Sequence, residues 1–243
     1  MKIIAVIPAR FASTRFPGKP LEKLKGKPIL QWVVEGARKS TRLSEIFVAT
    51  DDERISALCK TLGVNAIMTP TECPTGTDRI FAATRGLKFD VVLNIQGDEP
   101  LIDQSYIDPL ADAFLNQAGL DMATLAHPLA PADIDNKNAV KVITNINGEA
   151  IYFSRFAIPF SRENFNESSP EKPALKHIGL YGFSEPFLQK FCSTKPTLLE
   201  KHESLEQLRA LYLGARIKVI EVEKPTYGVD TPEDLQKLEA LLK

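Results

Sequence analysis

"KIIAVIPARFASTRFPGKPL", residues 2–21, changes character part-way along. Residues 2–7 form an apolar run that reads as a buried strand. The following loop carries Pro8, Pro17, Pro20 and Gly18 together with three cations, Arg10, Arg15 and Lys19. Arginine offers a planar fork of donors and lysine a point charge, the pair of devices that grips a polyphosphate. GxxxxGK[ST] is absent, so this is no Walker loop. Three cations in ten residues also fit a plain solvated loop. The prolines count against that reading, because they stiffen the loop and lower the entropy cost of ordering it on a ligand.

Working outward, apolar strands alternate with helical patterns. A helix is expected over residues 28–40, where Ile29, Val33 and Ala37 recur at helical spacing behind Pro28. Then come a strand at 45–50, a helix at 52–63 stopped by Gly63, the short strand "NAIM", a helix at 77–87 and the apolar strand "DVVLNIQ" at 90–96. Such alternation predicts a largely parallel sheet with right-handed crossovers. Ligands gather at the carboxyl ends of the strands of such sheets, and both 8–19 and 97–100 follow such ends.

After about residue 121 the segments "MATLAHPL", "AVKVITN", "AIYFSR" and "HIGLYGFS" read as strands near turns such as Ile146-Asn147-Gly148. They suggest a smaller antiparallel lobe, about 127–183, embedded in a single domain of residues 1–243. Residues 161–176, polar and proline-bearing, read as a mobile loop. A helix at 204–214, a strand at 217–223 and a helix at 231–243 follow, the last with Thr231 as N-cap, Pro232 in the first position and Asp234 in the third.

The 243 residues are 44% hydrophobic and 25% charged with a formal net charge of -1, so a basic site for nucleic acid or anionic lipid would have to be local. Cys59, Cys73 and Cys192 are scattered and odd in number, which argues against a disulfide framework or a zinc site and suits a reducing cytoplasm. The start "KIIAVI" lacks the pattern of a secretory leader, and no apolar run approaches a membrane span of roughly 18 residues.

"NIQGDEP" (94–100) ends the apolar strand 90–96 with Gly97, Asp98 and Glu99. A carboxylate at a strand end can hold Mg²⁺ against a phosphate, or it can be an ordinary acidic turn. Asp230 in "YGVDTPEDL" (227–235) offers a second acid, or simply part of a helix-start turn. A basic clamp and two strand-end acids are together the ingredients of metal-assisted phosphoryl or nucleotidyl transfer.

"PARFASTRFPGKPL", "TPTECPTGTDR", "NIQGDEP", "YFSRFAIPF", "HIGLYGF", "LEQLR" and "GVDTPEDL" occur in that order along nearly the whole chain. The set resembles the 3-deoxy-manno-octulosonate cytidylyltransferases, the CMP-Kdo synthetases. The resemblance implies a Rossmann-like α/β sugar nucleotidyltransferase fold, mainly a parallel sheet with helices on both faces, and a homodimer built through the antiparallel lobe. It also implies Mg²⁺, CTP and an acidic Kdo-type sugar as ligands, and a place in lipopolysaccharide synthesis. By the same resemblance Arg10, Arg15 and Lys19 hold the CTP phosphates; Thr75, Gly76, Thr77 and Arg79 line the base and ribose pocket; and Asp98 and Asp230 bind the metal. Gln96, Arg155, His177, Tyr181, Glu206 and Gln207 surround the sugar, with Arg155 facing its carboxylate. Read without the resemblance, Tyr181 fits a core, Glu206 and Gln207 a solvated helix face, and His177 a structural histidine.

Three positions depart from the family pattern. Cys73 stands where the family usually has His, Thr75 where it has Ser, and Pro225-Thr226-Tyr227-Gly228 where it has Pro-Gly-x-Gly. Tyr227 beside Asp230 is expected to reshape the rim and to favour slightly the 8-amino-3,8-dideoxy sugar used by some relatives. Cys73 is not expected to act as a nucleophile, since the sugar's own hydroxyl serves. Two other classes remain as alternatives. A glycosyltransferase consuming a nucleotide sugar usually carries a D-x-D motif, which Gly97-Asp98-Glu99 lacks, and a non-catalytic nucleotide-binding module would not need the full clamp and both acids.

Overall fold

A computed structural model describes residues 1–12, 15–160 and 173–242. The part of the expected mobile loop at 161–172 lies outside them. Two compact units emerge: unit 1 is Met1–Asp112 with Thr226–Lys243, and unit 2 is Ala113–Pro225, within which the expected lobe at 127–183 falls.

Unit 1 begins with β1 (Ile3–Ala9), almost wholly buried. The hairpin β2 (Lys23–Leu24) and β3 (Lys27–Pro28) turns at Lys25 and Gly26, both with positive φ (49° and 80°), and leads into α1 (Ile29–Ala37). Gly36 on α1 meets the backbone of Ile102 so closely that a Cβ would lie 1.9 Å from the Ile102 carbonyl oxygen, so only glycine fits. β4 (Glu45–Thr50), α2 (Glu53–Leu62), β5 (Asn65–Met68), α3 (Gly76–Thr84) and β6 (Val91–Asn94) follow.

β1 pairs in parallel with β4 on one side and β6 on the other, and β4 pairs in parallel with β5. The chain therefore leaves β1 in one direction and returns to its opposite flank at β6. That reversal of strand order opens a crevice at the carboxyl ends of β1 and β6. Both are buried and, apart from Asn94 at the end of β6, carry apolar side chains, as expected of parallel strands.

The division between units falls within α4 (Gln104–Asn116), a helix the sequence reading missed because Pro109 lies inside it and signals a break. In unit 2, β7 (Met122–Pro128) is followed by β8 (Lys141–Thr144), β9 (Ala150–Ser154) and the long β10 (Ala174–Ser184). β10 runs antiparallel to β7 and to β8, and β8 antiparallel to β9. α5 (Glu185–Ser193), α6 (Leu198–Glu203) and α7 (Gln207–Tyr212) precede β11 (Ile217–Glu221), which lies parallel to β7.

The helix expected over 204–214 is shorter, α7, and is preceded by α6, which the sequence did not suggest. Ser204 adopts φ 51°, a left-handed conformation that caps α6 and interrupts the run. The chain then returns to unit 1 with α8 (Pro232–Leu241), where Thr231 and Asp234 form the capping box their spacing predicted.

Candidate functional site

An apolar cluster in unit 1 decides where the basic loop goes. Phe16, Leu24, Ile29, Val229 and Leu238 are buried together, with Trp32 and Leu235 against them. Phe16 lies three residues before Lys19, and Val229 immediately precedes Asp230, so packing rather than charge brings these distant segments together. The Val229 N–H also donates to the Asp98 carbonyl at 2.9 Å, setting the two acids on neighbouring backbone. Gly97 lets the chain leaving β6 pass close to the end of β1, because a Cβ there would lie 2.6 Å from the Pro8 carbonyl oxygen.

The result is a charge-paired cradle. Lys19 Nζ donates to Asp98 Oδ2 at 2.7 Å and to Asp230 Oδ1 at 3.3 Å, and its side chain is only 12% exposed. Arg15 Nη1 lies 3.2 Å from Asp230 Oδ2. Arg10, Arg15, Lys19, Asp98 and Asp230 all line one cavity of about 240 Å³, at the carboxyl ends of β1 and β6. The sequence reading of clamp and acids thus describes a real cluster in space.

Among the described residues no group of three His, Cys, Asp or Glu side chains forms a ready-made metal cage. The donor set nevertheless fits Mg²⁺, which is typically bound through one or two carboxylates and completed by phosphate oxygens and water. Asp98 and Asp230 are two such carboxylates, already facing a common cation in Lys19.

Glu99 lies behind the cradle. Its Oε1 accepts a hydrogen bond from Thr226 Oγ1 at 3.3 Å, and its Oε2 is buried without a partner. Burial first, then the charge of Asp98, pushes its carboxyl up to about 8, so it holds its proton at neutral pH. Thr226 therefore serves Glu99. Tyr227 is 44% exposed and does not line this cavity.

The opposite wall comes from the start of α3. Thr75 and Gly76 line the cavity with Cys73, Pro74 and Gln96. The Thr75 hydroxyl caps the helix by accepting from the Asp78 N–H and donating to its carboxylate. Burial raises the Cys73 thiol, which leaves no activated thiolate.

Thr77 and Arg79 stand behind this wall rather than on it, both almost wholly buried. Arg79 donates to Asp51 Oδ2 at 2.8 Å and to Thr69 Oγ1 at 2.6 Å, tying α3 to the residues that directly follow β4 and β5. Asn94 Nδ2 donates to Thr77 Oγ1 and Gln96 Nε2 to Asn94 Oδ1, a relay that orients Gln96 toward the cavity wall.

The remaining expected sugar residues gather in unit 2. The register of β10 against β7 shifts between Ile178 and Tyr181. There the Thr124 hydroxyl donates to the carbonyls of Ile178 and Leu180 and lies 2.9 Å from His177 Nε2. The bulge brings the His177 and Tyr181 rings to 5.5 Å. Tyr181 Oη donates to Gln207 Oε1 at 3.3 Å, while Gln207 Nε2 is buried without a partner. Burial drives the Tyr181 phenol up, with the Glu206 charge adding to it and Arg155 opposing.

The Arg155 guanidinium is anchored by the carbonyls of Glu203, Lys137 and Ser204, and its own N–H donates to the Glu203 carboxylate. Sequence reasoning missed Lys141, whose buried ammonium donates to the carbonyls of Asn136, Ala139 and Arg155. A lysine in an alternating strand carries no mark that distinguishes it from a surface residue.

Burial takes the His177 imidazole from its ordinary 6.5 down to about 3. It stays neutral when folded but protonates in the unfolded chain once the pH drops below 6.5, so its burial stabilises least in acid. Between about pH 7.5 and about pH 5 it should remove about 2 kcal/mol of stability, a loss that His177→Gln should lack. Denaturant unfolding at both pH values checks this, and equal losses in the two proteins would place the imidazole in water.

A cytidylyltransferase family model matches residues 4–217. The 3-deoxy-manno-octulosonate cytidylyltransferase of Bdellovibrio bacteriovorus is 56% identical over 242 residues, spanning 100% of this chain and 98% of that protein. The chain belongs to the 3-deoxy-manno-octulosonate cytidylyltransferase family. A family member of the same name from Pseudomonas fluorescens is 47% identical over 98% of this chain and 97% of its own length. The solved structure of CMP:2-keto-3-deoxy-manno-octonic acid synthetase complexed with CTP superposes with a TM-score of 0.93 at 38% identity, over 100% of this chain and 98% of that one. This cytidylyltransferase is therefore an enzyme of the nucleotidyltransferase class, with an α/β fold as expected.

Proposed function

We propose that this cytidylyltransferase couples CTP to 3-deoxy-manno-octulosonate (Kdo), giving CMP-Kdo and pyrophosphate. The observation that carries this reading is Lys19 held between Asp98 and Asp230 in a cavity that Arg10 and Arg15 also line. The anomeric hydroxyl oxygen attacks the α-phosphorus, its proton is lost to solvent, and the bond to the β-phosphate oxygen breaks as pyrophosphate leaves. Arg10, Arg15 and Lys19 take up the charge that grows on that leaving group. The carboxylates pair with Lys19 and Arg15, and a triphosphate would offer these cations a stronger partner. Asp98 and Asp230 would hold Mg²⁺, which when bound would neutralise phosphate charge and lower the pKa of a nearby hydroxyl.

Thr75 and Gly76, at the N-terminus of α3, take the base and ribose, and Thr77 and Arg79 keep that wall rigid. Arg155 pairs with the sugar carboxylate, and Gln96, His177, Tyr181, Glu206 and Gln207 meet its hydroxyls. Tyr181 Oη and the orphaned Gln207 Nε2 suit this role, because a buried donor without a partner is costly until a ligand supplies one. The product would feed lipopolysaccharide synthesis in the cytoplasm. No helix among the described residues is long and apolar enough to cross a membrane. A homodimer would cover the apolar side chains that unit 2 exposes, among them Phe156, Phe160 and Leu198.

A substrate panel tests the sugar. Tyr227, which prompted the expectation of an 8-amino sugar, does not line the cavity of the clamp, and the relatives are named for Kdo. Kdo should therefore give the higher kcat/KM, by at least about 5-fold, the lower end of what one unmatched polar group costs. Equal or higher kcat/KM with 8-amino-Kdo would reassign the substrate.

A further inference from the structure

Outside the cavity wall, the basic loop is fastened to α2 through an aromatic ring. The Gly18 N–H donates to the Phe11 carbonyl at 2.9 Å, joining these two residues, with Arg10 just before the one and Lys19 just after the other. The Phe11 ring lies over Gly18, where a Cβ would come within 3.1 Å of Phe11 Cε2. Gly18 has φ +73°, so this contact calls for glycine twice over.

The guanidinium of Arg54 stacks on the Phe11 ring, with Cζ 3.3 Å from the centroid. Asp52 holds that guanidinium flat with two hydrogen bonds, from Nε at 2.9 Å and Nη2 at 2.6 Å, and also caps α2 by accepting the Arg54 N–H. Neither Phe11 nor Arg54 lines the cavity.

We infer that Arg54 is a positioning residue for triphosphate binding: stacked on Phe11, it holds Phe11 against Gly18 and so sets the spacing of Arg10 and Lys19. The inference rests on the clamp reading above and extends it to a residue that touches no phosphate. As a charge alone Arg54 offers little, since Asp52 neutralises it and both lie near solvent. Its flat face is what matters, because a planar cation over a ring is attracted to it and restrains it. Cations whose backbone is already held in place spend less conformational entropy when the nucleotide arrives.

Calorimetric titration of CTP and of CMP, in Mg²⁺ buffer, into the full-length enzyme and its variants tests this. Arg54→Ala and Phe11→Ala should each weaken CTP by about 3- to 10-fold, the range of a partly exposed cation–ring contact. CMP, which lacks the outer phosphates, should shift by less than about 2-fold. The double variant should bind CTP no worse than the weaker single variant, because both changes break one contact. Arg54→Lys should recover only part of the loss, and it serves as the test should Arg54→Ala not fold.

Additive losses in the double variant, equal losses for CTP and CMP, or an unchanged CTP affinity would each overturn the inference. Wild-type enzyme that fails to bind CTP would instead sink the clamp reading itself.

Discussion

Asp98→Asn and Asp230→Asn should each lower kcat by at least about 10²-fold while leaving the fold intact, the scale seen when one preorganised charge contact to a transition state is removed. Asparagine keeps the volume of aspartate and can still accept a hydrogen bond from Lys19, so neither change opens a void. What disappears is the negative charge. Both carboxylates share the Lys19 ammonium, at 2.7 and 3.3 Å, and in the proposed reaction both would hold Mg²⁺. Replacing either removes half of that donor set. Steady-state kinetics at saturating Mg²⁺, beside thermal melts, check the expectation, and near-normal turnover in either variant would remove that residue from the metal site.

Lys19→Met should also cost about 10²-fold in kcat, again the scale of a lost charge contact to a leaving group. Methionine preserves the largely buried stem and discards only the ammonium. CTP affinity should fall by about 10-fold or more and CMP affinity by less than about 2-fold, since only the former presents outer phosphates, and one strong ionic contact is worth roughly that much. The variant also leaves Asp98 and Asp230 facing each other without their shared cation. Some loss of ligand-free stability is therefore expected, with recovery when Mg²⁺ is added. Equal losses for CTP and CMP would make Lys19 a general electrostatic contributor and not a leaving-group contact.

The parallel strands of unit 1 were legible in the sequence because burial on both faces demands continuous apolar runs, and β4 spans the residues expected of it. The strand-end location of the clamp was legible for the same reason, since Arg10 and Asp98 follow such runs directly. Helix α4 was not, because Pro109 outweighed its apolar spacing, and the kink after α6 depends on one left-handed serine that nothing in the sequence announces. Thr77 and Arg79 share a motif with the cavity residues Thr75 and Gly76, yet the turn of α3 carries them into the interior. A motif records proximity along the chain, not the direction of each side chain. The resemblance supplied the unit 2 residues, but the bulge that brings His177 to Tyr181 needs the cross-strand register, and that is set by contacts far apart in sequence.

The most direct measurement is phosphorus NMR of the purified enzyme with CTP, Kdo and Mg²⁺. Each CTP consumed should yield one pyrophosphate and one new phosphodiester resonance from CMP-Kdo, and omission of Kdo should leave CTP intact. CTP left unchanged in the presence of Kdo, or converted to CDP and phosphate, would contradict the account.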